Sequence, residues 1–563
     1  MRTRRRLAGL VAVASVSLLV VSACTAKATA AKLFADCAAK PNECNGAKTK
    51  PGGTLTFSIE KKIKGWNVNA AGSNSFDTGE VMGGVLPQPI VVWPDFTVAV
   101  NLDLLVSATQ TGANPQTIVY KINPAAVWDD GEPISADDFV YLWQTQNGRD
   151  CAACKAATSA GYEQIKSVTG ADGGKTVTVV YETPFTDWLG NFQKMYPSHL
   201  AKQHGNLAAS FAWFNETVPT WSGGPYKISE YAKDSSVTLV PNPRWYGRYK
   251  PSLDKVVFRI VDDQNAEVTG LRNNELQAVY TQAPNLDMVN QVKTLPGIQY
   301  ALGRGLTWEH LDLNLSNKFL VDGKLRKAIF TAVNRQDIIN KTVGQFDPGL
   351  RPLNSHNFVP GQRGFKDVIT PTGQGAGDVT RAKKILTDGG YKLDGTTLTT
   401  PSGEVVKLRI AYSDGNVMRK ATAEIFQSQL AAIGIKVEID AVQLGDIFDS
   451  GDWDMVIFAW SGQPFPYAGA QQTWQSSSGS NFGHWTNTAS DVLLKEAGSQ
   501  TDPDKAIDAL NEADQIMAND AYVLPLFQKP VLLAVQQQYA NIRINSTQAG
   551  PPYDIAEWGI RES

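Results

Sequence analysis

The chain has 563 residues, with 52 Lys and Arg against 55 Asp and Glu, a formal charge of −3 at pH 7. A mildly acidic chain with no block of Lys and Arg beyond its first six residues lacks the electrostatic footprint for nucleic acid or another polyanion. Its length exceeds the roughly 250–300 residues at which single cores stop growing, so two or three lobes are expected.

Arg2, Arg4, Arg5 and Arg6 precede an uncharged, mostly apolar run from Leu7 to Val21. This is a signal-peptide layout, and the run is shorter than the about 20 residues a spanning helix needs. It ends in Val21-Ser22-Ala23-Cys24, which resembles the lipobox of bacterial lipoproteins. The resemblance implies a signal peptide over 1–23 and a lipid on Cys24 that anchors the chain at the extracytoplasmic face of the cell membrane. A plain secreted protein with a chance cysteine is the alternative. Residues 24–52, rich in Ala, Lys, Thr and small polar residues, read as a flexible tether.

The four other cysteines form two close pairs, Cys37 with Cys44 and Cys151 with Cys154. An even count outside the cytoplasm favours disulfides. The C-x-x-C pair also suits a redox centre or half a zinc site, but no second C-x-x-C or spaced His pair accompanies it, and no metal or cofactor is expected.

The folded part is expected to open with a half-buried strand, Thr54–Ile59, which alternates polar and apolar residues. Gly170-Ala171-Asp172-Gly173-Gly174-Lys175-Thr176 is one residue short of a phosphate loop and leads into a strand, Thr176–Tyr181, so a hairpin turn explains it. Further strands are expected at Val237–Val240 and Val256–Ile260. From Asp378 to Trp460 the pattern alternates. Asp378 caps a helix carrying Val379, Ala382, Ile385 and Leu386, and Gly389-Gly390 ends it. A strand with Val406, Leu408, Ile410 and Tyr412, a helix with Ala421, Ile425, Leu430 and Ile433, and a strand with Ile435, Val437 and Ile439 follow. The last strand, Met455–Trp460, is apolar throughout, as a strand covered on both faces should be. In such βαβ sheets ligands sit beyond the carboxyl ends of the strands, which points to Trp460-Ser461-Gly462-Gln463-Pro464-Phe465.

An enzyme would need a nucleophile, an acid–base pair or a metal. The five histidines, His199, His204, His310, His356 and His484, form no H-E-x-x-H and no pair closer than i, i+5, and no G-x-S-x-G occurs. The acidic pairs Asp129-Asp130, Asp137-Asp138 and Asp262-Asp263 are adjacent and read as caps and turn residues. Trp66, Trp308, Trp460, Trp474 and Trp485 lie in polar, loop-like sequence, where full burial is not expected; Trp460, Phe465, Tyr467 and Trp474 cluster locally, as an aromatic wall for an organic solute requires.

Val127-Trp128-Asp129-Asp130-Gly131-Glu132-Pro133 with Ser135-Ala136-Asp137-Asp138-Phe139-Val140 resembles a signature of the family 5 extracellular solute-binding proteins, the dipeptide- and oligopeptide-binding components of ABC importers. Gly223-Gly224-Pro225-Tyr226-Lys227, Asn242-Pro243 with Trp245-Tyr246, Leu325-Arg326-Lys327-Ala328-Ile329 with Asn334-Arg335, Ala382-Lys383-Lys384-Ile385-Leu386 and Leu524-Pro525-Leu526-Phe527 extend the likeness in family order. The resemblance implies an α/β, periplasmic-binding-protein-like fold, bilobal with an extra inserted domain. Domain I would comprise residues 53–76, 213–308 and 528–563, domain II 77–212 and domain III 309–527, with the ligand enclosed between I and III. Hinge crossings are expected near Trp308–Leu313 and Leu524–Gln528. Trp460, Ser461, Gly462, Gln463, Phe465, Trp474 and Trp308 would form one wall, and Glu60, Trp66 and Asn67 would approach from domain I. Peptide binders of the family place an aspartate three residues after the tryptophan that matches Trp460; here that position is Gln463, which cannot supply a charge-assisted bond to an ammonium group. The implied protein is a monomeric, lipid-anchored receptor that delivers an organic solute, an oligopeptide foremost, to ABC permease subunits. An extracytoplasmic hydrolase on peptides or glycans and an importer-independent sensor lipoprotein are the rivals.

Overall fold

The computed structural model describes Phe34, Cys37 and residues 39–562. The expected signal peptide and Cys24 lie outside the described residues. The later part of the expected tether is not a tether: Cys37 is joined to Cys44, buried Asn45 donates to Ile542 O at 2.8 Å, and Thr49–Lys50 pairs with Gly559–Arg561. Its polar residues satisfy the C-terminal segment rather than water, which composition alone does not reveal.

Ten strands form the central sheet. In chain order they are β1 (Thr54–Ile59), β2 (Tyr226–Ala232), β3 (Ser236–Pro241), β4 (Lys255–Ile260), β5 (Ala278–Thr281), β6 (Ile298–Leu313), β7 (Lys407–Ser413), β8 (Lys436–Val442), β9 (Met455–Ser461) and β10 (Val523–Gln536). Their spatial order is β8-β7-β9-β6-β10-β5-β1-β4-β3-β2. β1, β4 and β5 run parallel in one half, edged by the antiparallel pair β3 and β2, and β7, β8 and β9 run parallel at the opposite end. The two long antiparallel strands β6 and β10 connect these halves. Their pairing breaks between Arg304↔Pro530 and Trp308↔Gln528, where the Gln528 side chain instead donates to Gly305 O at 2.9 Å. The expected crossings stand a few residues from this break.

Alternation on β10 divides the core. Val531, Leu533 and Val535 pack with β1 and its neighbours, whereas Leu532 and Ala534 join the cluster that contains Leu408, Ile410 and Phe426. A strand covered on both faces reads as a continuous apolar run for this reason.

A separate antiparallel sheet takes the order Leu105–Ala113, Gln116–Ile122, Thr176–Tyr181, Ile165–Ala171. Its last two strands are joined by the hairpin expected at 170–176, with Gly173 and Gly174 at φ of 65° and 84°, a region that favours glycine. The helix Ala136–Gln146 beside it starts with a capping box between Ser135 and Asp138. Asp129 accepts from Ser222 N and Asp263 from Ala266 N, so these acidic pairs supply turns and caps. Cys151 is joined to Cys154.

Candidate ligand-binding site

The helix Val379–Asp388 starts at its cap Asp378, and the helix Val417–Ala431 connects β7 to β8. The chain then crosses to the other side of β7 to form β9, so β7 lies between them. Such a reversal opens a crevice at the carboxyl ends of the strands. β9 ends there at Ser461, and the helix Pro466–Trp474 follows. Gly462 passes so close to β6 that a Cβ would lie 2.8 Å from Leu306 O, and its amide donates to the same carbonyl at 3.0 Å.

A cavity of about 430 Å³ opens at this point, lined by Trp308, His356, Asn357, Trp460, Ser461, Gly462, Gln463 and the inner face of Pro466–Trp474. Trp474 meets Trp460 edge-on, with centroids 6.1 Å apart and planes at 82°. Trp460 lies parallel to Phe482 and to His310, at 5.9 and 6.1 Å. Trp474 Nε1 donates to Asn357 Oδ1 at 2.9 Å. An indole nitrogen can only donate, so this bond fixes the Asn357 amide with its oxygen toward Trp474. The remaining groups, Asn357 Nδ2 and Trp460 Nε1, are buried without a partner among the described residues. His356 offers no free nitrogen, because Nδ1 bonds Asp514 and Nε2 bonds Val523 O. Gln362 Nε2 donates to the main-chain Gln463 O at 3.0 Å; the Gln463 residue is half-buried, and its side chain has no partner among the described residues.

Trp308, Trp460, Ser461, Gly462, Gln463 and Trp474 are therefore brought together, and other expected residues are not. Trp66 is buried edge-on against Tyr231, and its carbonyl accepts from Tyr196. Asn67 is 1% exposed and donates to Phe211 O. Both lie in the junction with the four-stranded sheet. Phe465 turns away from the cavity to pack on Gly190. Trp485 is buried too: it stacks on Tyr522 at 5.8 Å and donates to Asp520. Burial of Trp66, Trp308, Trp474 and Trp485 overturns the expectation from their polar flanks: Trp66 O accepts from Tyr196, Trp474 Nε1 donates to Asn357 and Trp485 Nε1 donates to Asp520, all inside the fold. Glu60 stands at the end of β1, where Asp77 accepts from its amide at 2.7 Å. Burial pushes its carboxyl up, and Lys529 on β10 lies within Coulombic reach. Asn357 and His356 escaped the sequence reading because nothing in Ser355-His356-Asn357 shows which strand end they face.

Together these features define a bilobal α/β binding protein with a separate four-stranded subdomain. The chain belongs to the family described as bacterial extracellular solute-binding proteins, family 5, whose profile matches residues 100–482. It is 29% identical over 509 residues to the oligopeptide-binding protein OppA of Mycobacterium tuberculosis, spanning 89% of this chain and 84% of that one. A crystallised periplasmic EDTA-binding protein, EppA, is 36% identical with a TM-score of 0.86, covering 93% of this chain and 99% of its own. The Bacillus subtilis oligopeptide-binding protein AppA, solved with a nonapeptide, shares the fold at 20% identity and a TM-score of 0.69, over 92% and 100% of the two chains.

Proposed function

We propose that this family 5 substrate-binding protein of an ABC importer captures an oligopeptide between the half of the sheet built on β1 and the half built on β9, and hands it to permease subunits. The observation that carries the reading is the tryptophan-walled cavity at the carboxyl end of β9, next to the break in β6 and β10. An aromatic wall with a few polar groups holds organic solutes of varied sequence. The oligopeptide-binding relatives support the peptide. The break supports a hinge there, with domain III beginning just beyond it and domain II centred on the four-stranded sheet. The work is binding without chemistry by a monomer. The apolar leader and Cys24 support export and a lipid anchor.

A second reading, a metal chelate or other polycarboxylate, is favoured by the 36% identity to the EDTA-binding protein. Among the described residues no group of three or more His, Cys, Asp or Glu could hold a bare metal ion, so a metal would have to arrive with its own ligands.

The test is mass spectrometry of the solute released by denaturing freshly purified protein. Peptides of several sequences are expected. A single polycarboxylate mass would replace the peptide reading with the second. A protein that carries no solute, and whose X-ray scattering is unchanged by a peptide digest, would sink the receptor reading.

A further inference from the structure

We infer that the cavity at the end of β9 takes an oxygen acceptor of the solute, a carboxylate or an amide carbonyl, between Trp460 Nε1 and Asn357 Nδ2. This rests on the receptor reading and narrows it to the polarity of the group bound there.

The two donor nitrogens are buried and have no acceptor among the described residues. An unmet buried donor costs about 1–3 kcal/mol, and nearly all such groups in folded proteins are paired. Neither can rotate away to find a partner inside the protein. Asn357 is held through its oxygen by Trp474, and Trp460 is enclosed by the rings of His310, Phe482 and Trp474. Among the described residues the cavity wall contains no Asp, Glu, Lys or Arg, and His356 has both nitrogens engaged. An ammonium group placed here would meet two more donors and no charged acceptor, so it would be stripped of water without return. An oxygen placed between them would meet donors that the protein itself leaves unmet, with the Gln463 amide at the rim to add more and the Ser461 hydroxyl shared with Thr307 Oγ1 at 3.4 Å. A peptide carbonyl or terminal carboxylate and the carboxylates of a chelate all present this oxygen, and binding experiments separate them.

Titration calorimetry would use the mature protein with tetra-alanine, N-acetyl-tetra-alanine and Mg·EDTA as probes. Binding of the peptides assigns the oxygen to a peptide, and binding of Mg·EDTA assigns it to a chelate. In either case Asn357→Asp, which keeps the acceptor for Trp474 but loses the donor, is expected to weaken binding about tenfold or more. Trp460→Phe, which loses only the N–H and part of a ring, is expected to do the same. For the peptide, acetylation of the amino terminus is expected to change affinity less than about fivefold. Unchanged affinity in both variants, a loss beyond tenfold on acetylation, or no binding of any probe at millimolar concentration would overturn the inference. A protein that binds none of them but still carries a solute on isolation keeps the receptor reading and loses this one.

Discussion

Asp187 of the four-stranded subdomain accepts a hydrogen bond from Ala468 N, 2.8 Å away in the first turn of the helix Pro466–Trp474. That helix has no side-chain cap of its own, so the carboxyl supplies one from outside. The preceding residue serves a second helix: Thr186 Oγ1 lies 2.6 Å from Ala497 O and 2.8 Å from Gln500 O, and its amide donates to Gly498 O at the end of Thr488–Ser499. Two adjacent residues thus clasp the helix that lines the cavity and the helix that follows it, and the proposed hinge at the break in β6 and β10 would pull against them.

Asp187→Ala is therefore expected to favour the open form. A lost cap costs about 1 kcal/mol, roughly a fivefold shift in an open–closed equilibrium. Small-angle X-ray scattering of the unliganded protein should give a larger radius of gyration for the variant. Superimposable profiles would mean that the clasp does not oppose opening.

Closure should also depend on pH. Burial pushes the Asp187 carboxyl up to about 7 despite the amides of Ala468 and Tyr467, and its Oδ1 has no partner among the described residues. The titratable group facing it is Tyr467, itself pushed up to about 12 by burial and then by the charge of Asp187. Undocked and in water, the carboxyl returns to about 4. The docked form thus binds the proton more tightly. Its advantage is fully present below about 4 and is lost as pH rises through about 7. Oδ1 can carry the proton while Oδ2 keeps Ala468. Scattering from pH 5 to 8 should show progressive opening in the wild type, and Asp187→Asn should remove that trend. A trend that persists in Asp187→Asn would assign it to another group.

Cys24→Ala tests the anchor. Without the sulfur no lipid can be attached, so the protein should leave the membrane fraction for the soluble extracytoplasmic fraction. Retention of the variant on membranes washed in high salt would mean that something other than a lipid on Cys24 holds it.

Periodicity made β1, β7, β8 and β9 legible, because alternation and continuous apolar runs report how many faces of a strand are covered. They do not report by what. The clasp joins residues 281 positions apart, and Asn357 reaches Trp474 across 117, so neither leaves a local pattern. Trp460 and the residues after it were within reach because the carboxyl end of a parallel strand is a site that topology itself defines. Trp66 and Asn67 misled because a polar neighbourhood in sequence became a hydrogen-bonded junction in space.

Glu309, just beyond the break in β6, receives two hydrogen bonds of 3.0 Å from Arg419, from Nε and Nη2, and Lys529 Nζ stands 3.9 Å away on β10. Arg419 Nη1 also donates to Ser413 Oγ at the end of β7, at 2.7 Å. One guanidinium therefore ties together β6, β7 and the first turn of Val417–Ala431, with the Glu309 side chain only 5% exposed. Removing one partner of such a pair strands the other, at a cost of about 3–5 kcal/mol. Lys529 should soften that cost, so Arg419→Ala is expected to lose about 2–4 kcal/mol in urea unfolding. Arg419→Lys should recover little, because an ammonium cannot reproduce the two parallel bonds and the contact to Ser413 together. Adding Glu309→Gln to Arg419→Ala should recover more than half of the loss, since the buried charge is then gone. If the double variant is no more stable than Arg419→Ala alone, the penalty comes from lost packing of the arginine stem rather than from an unpaired carboxylate.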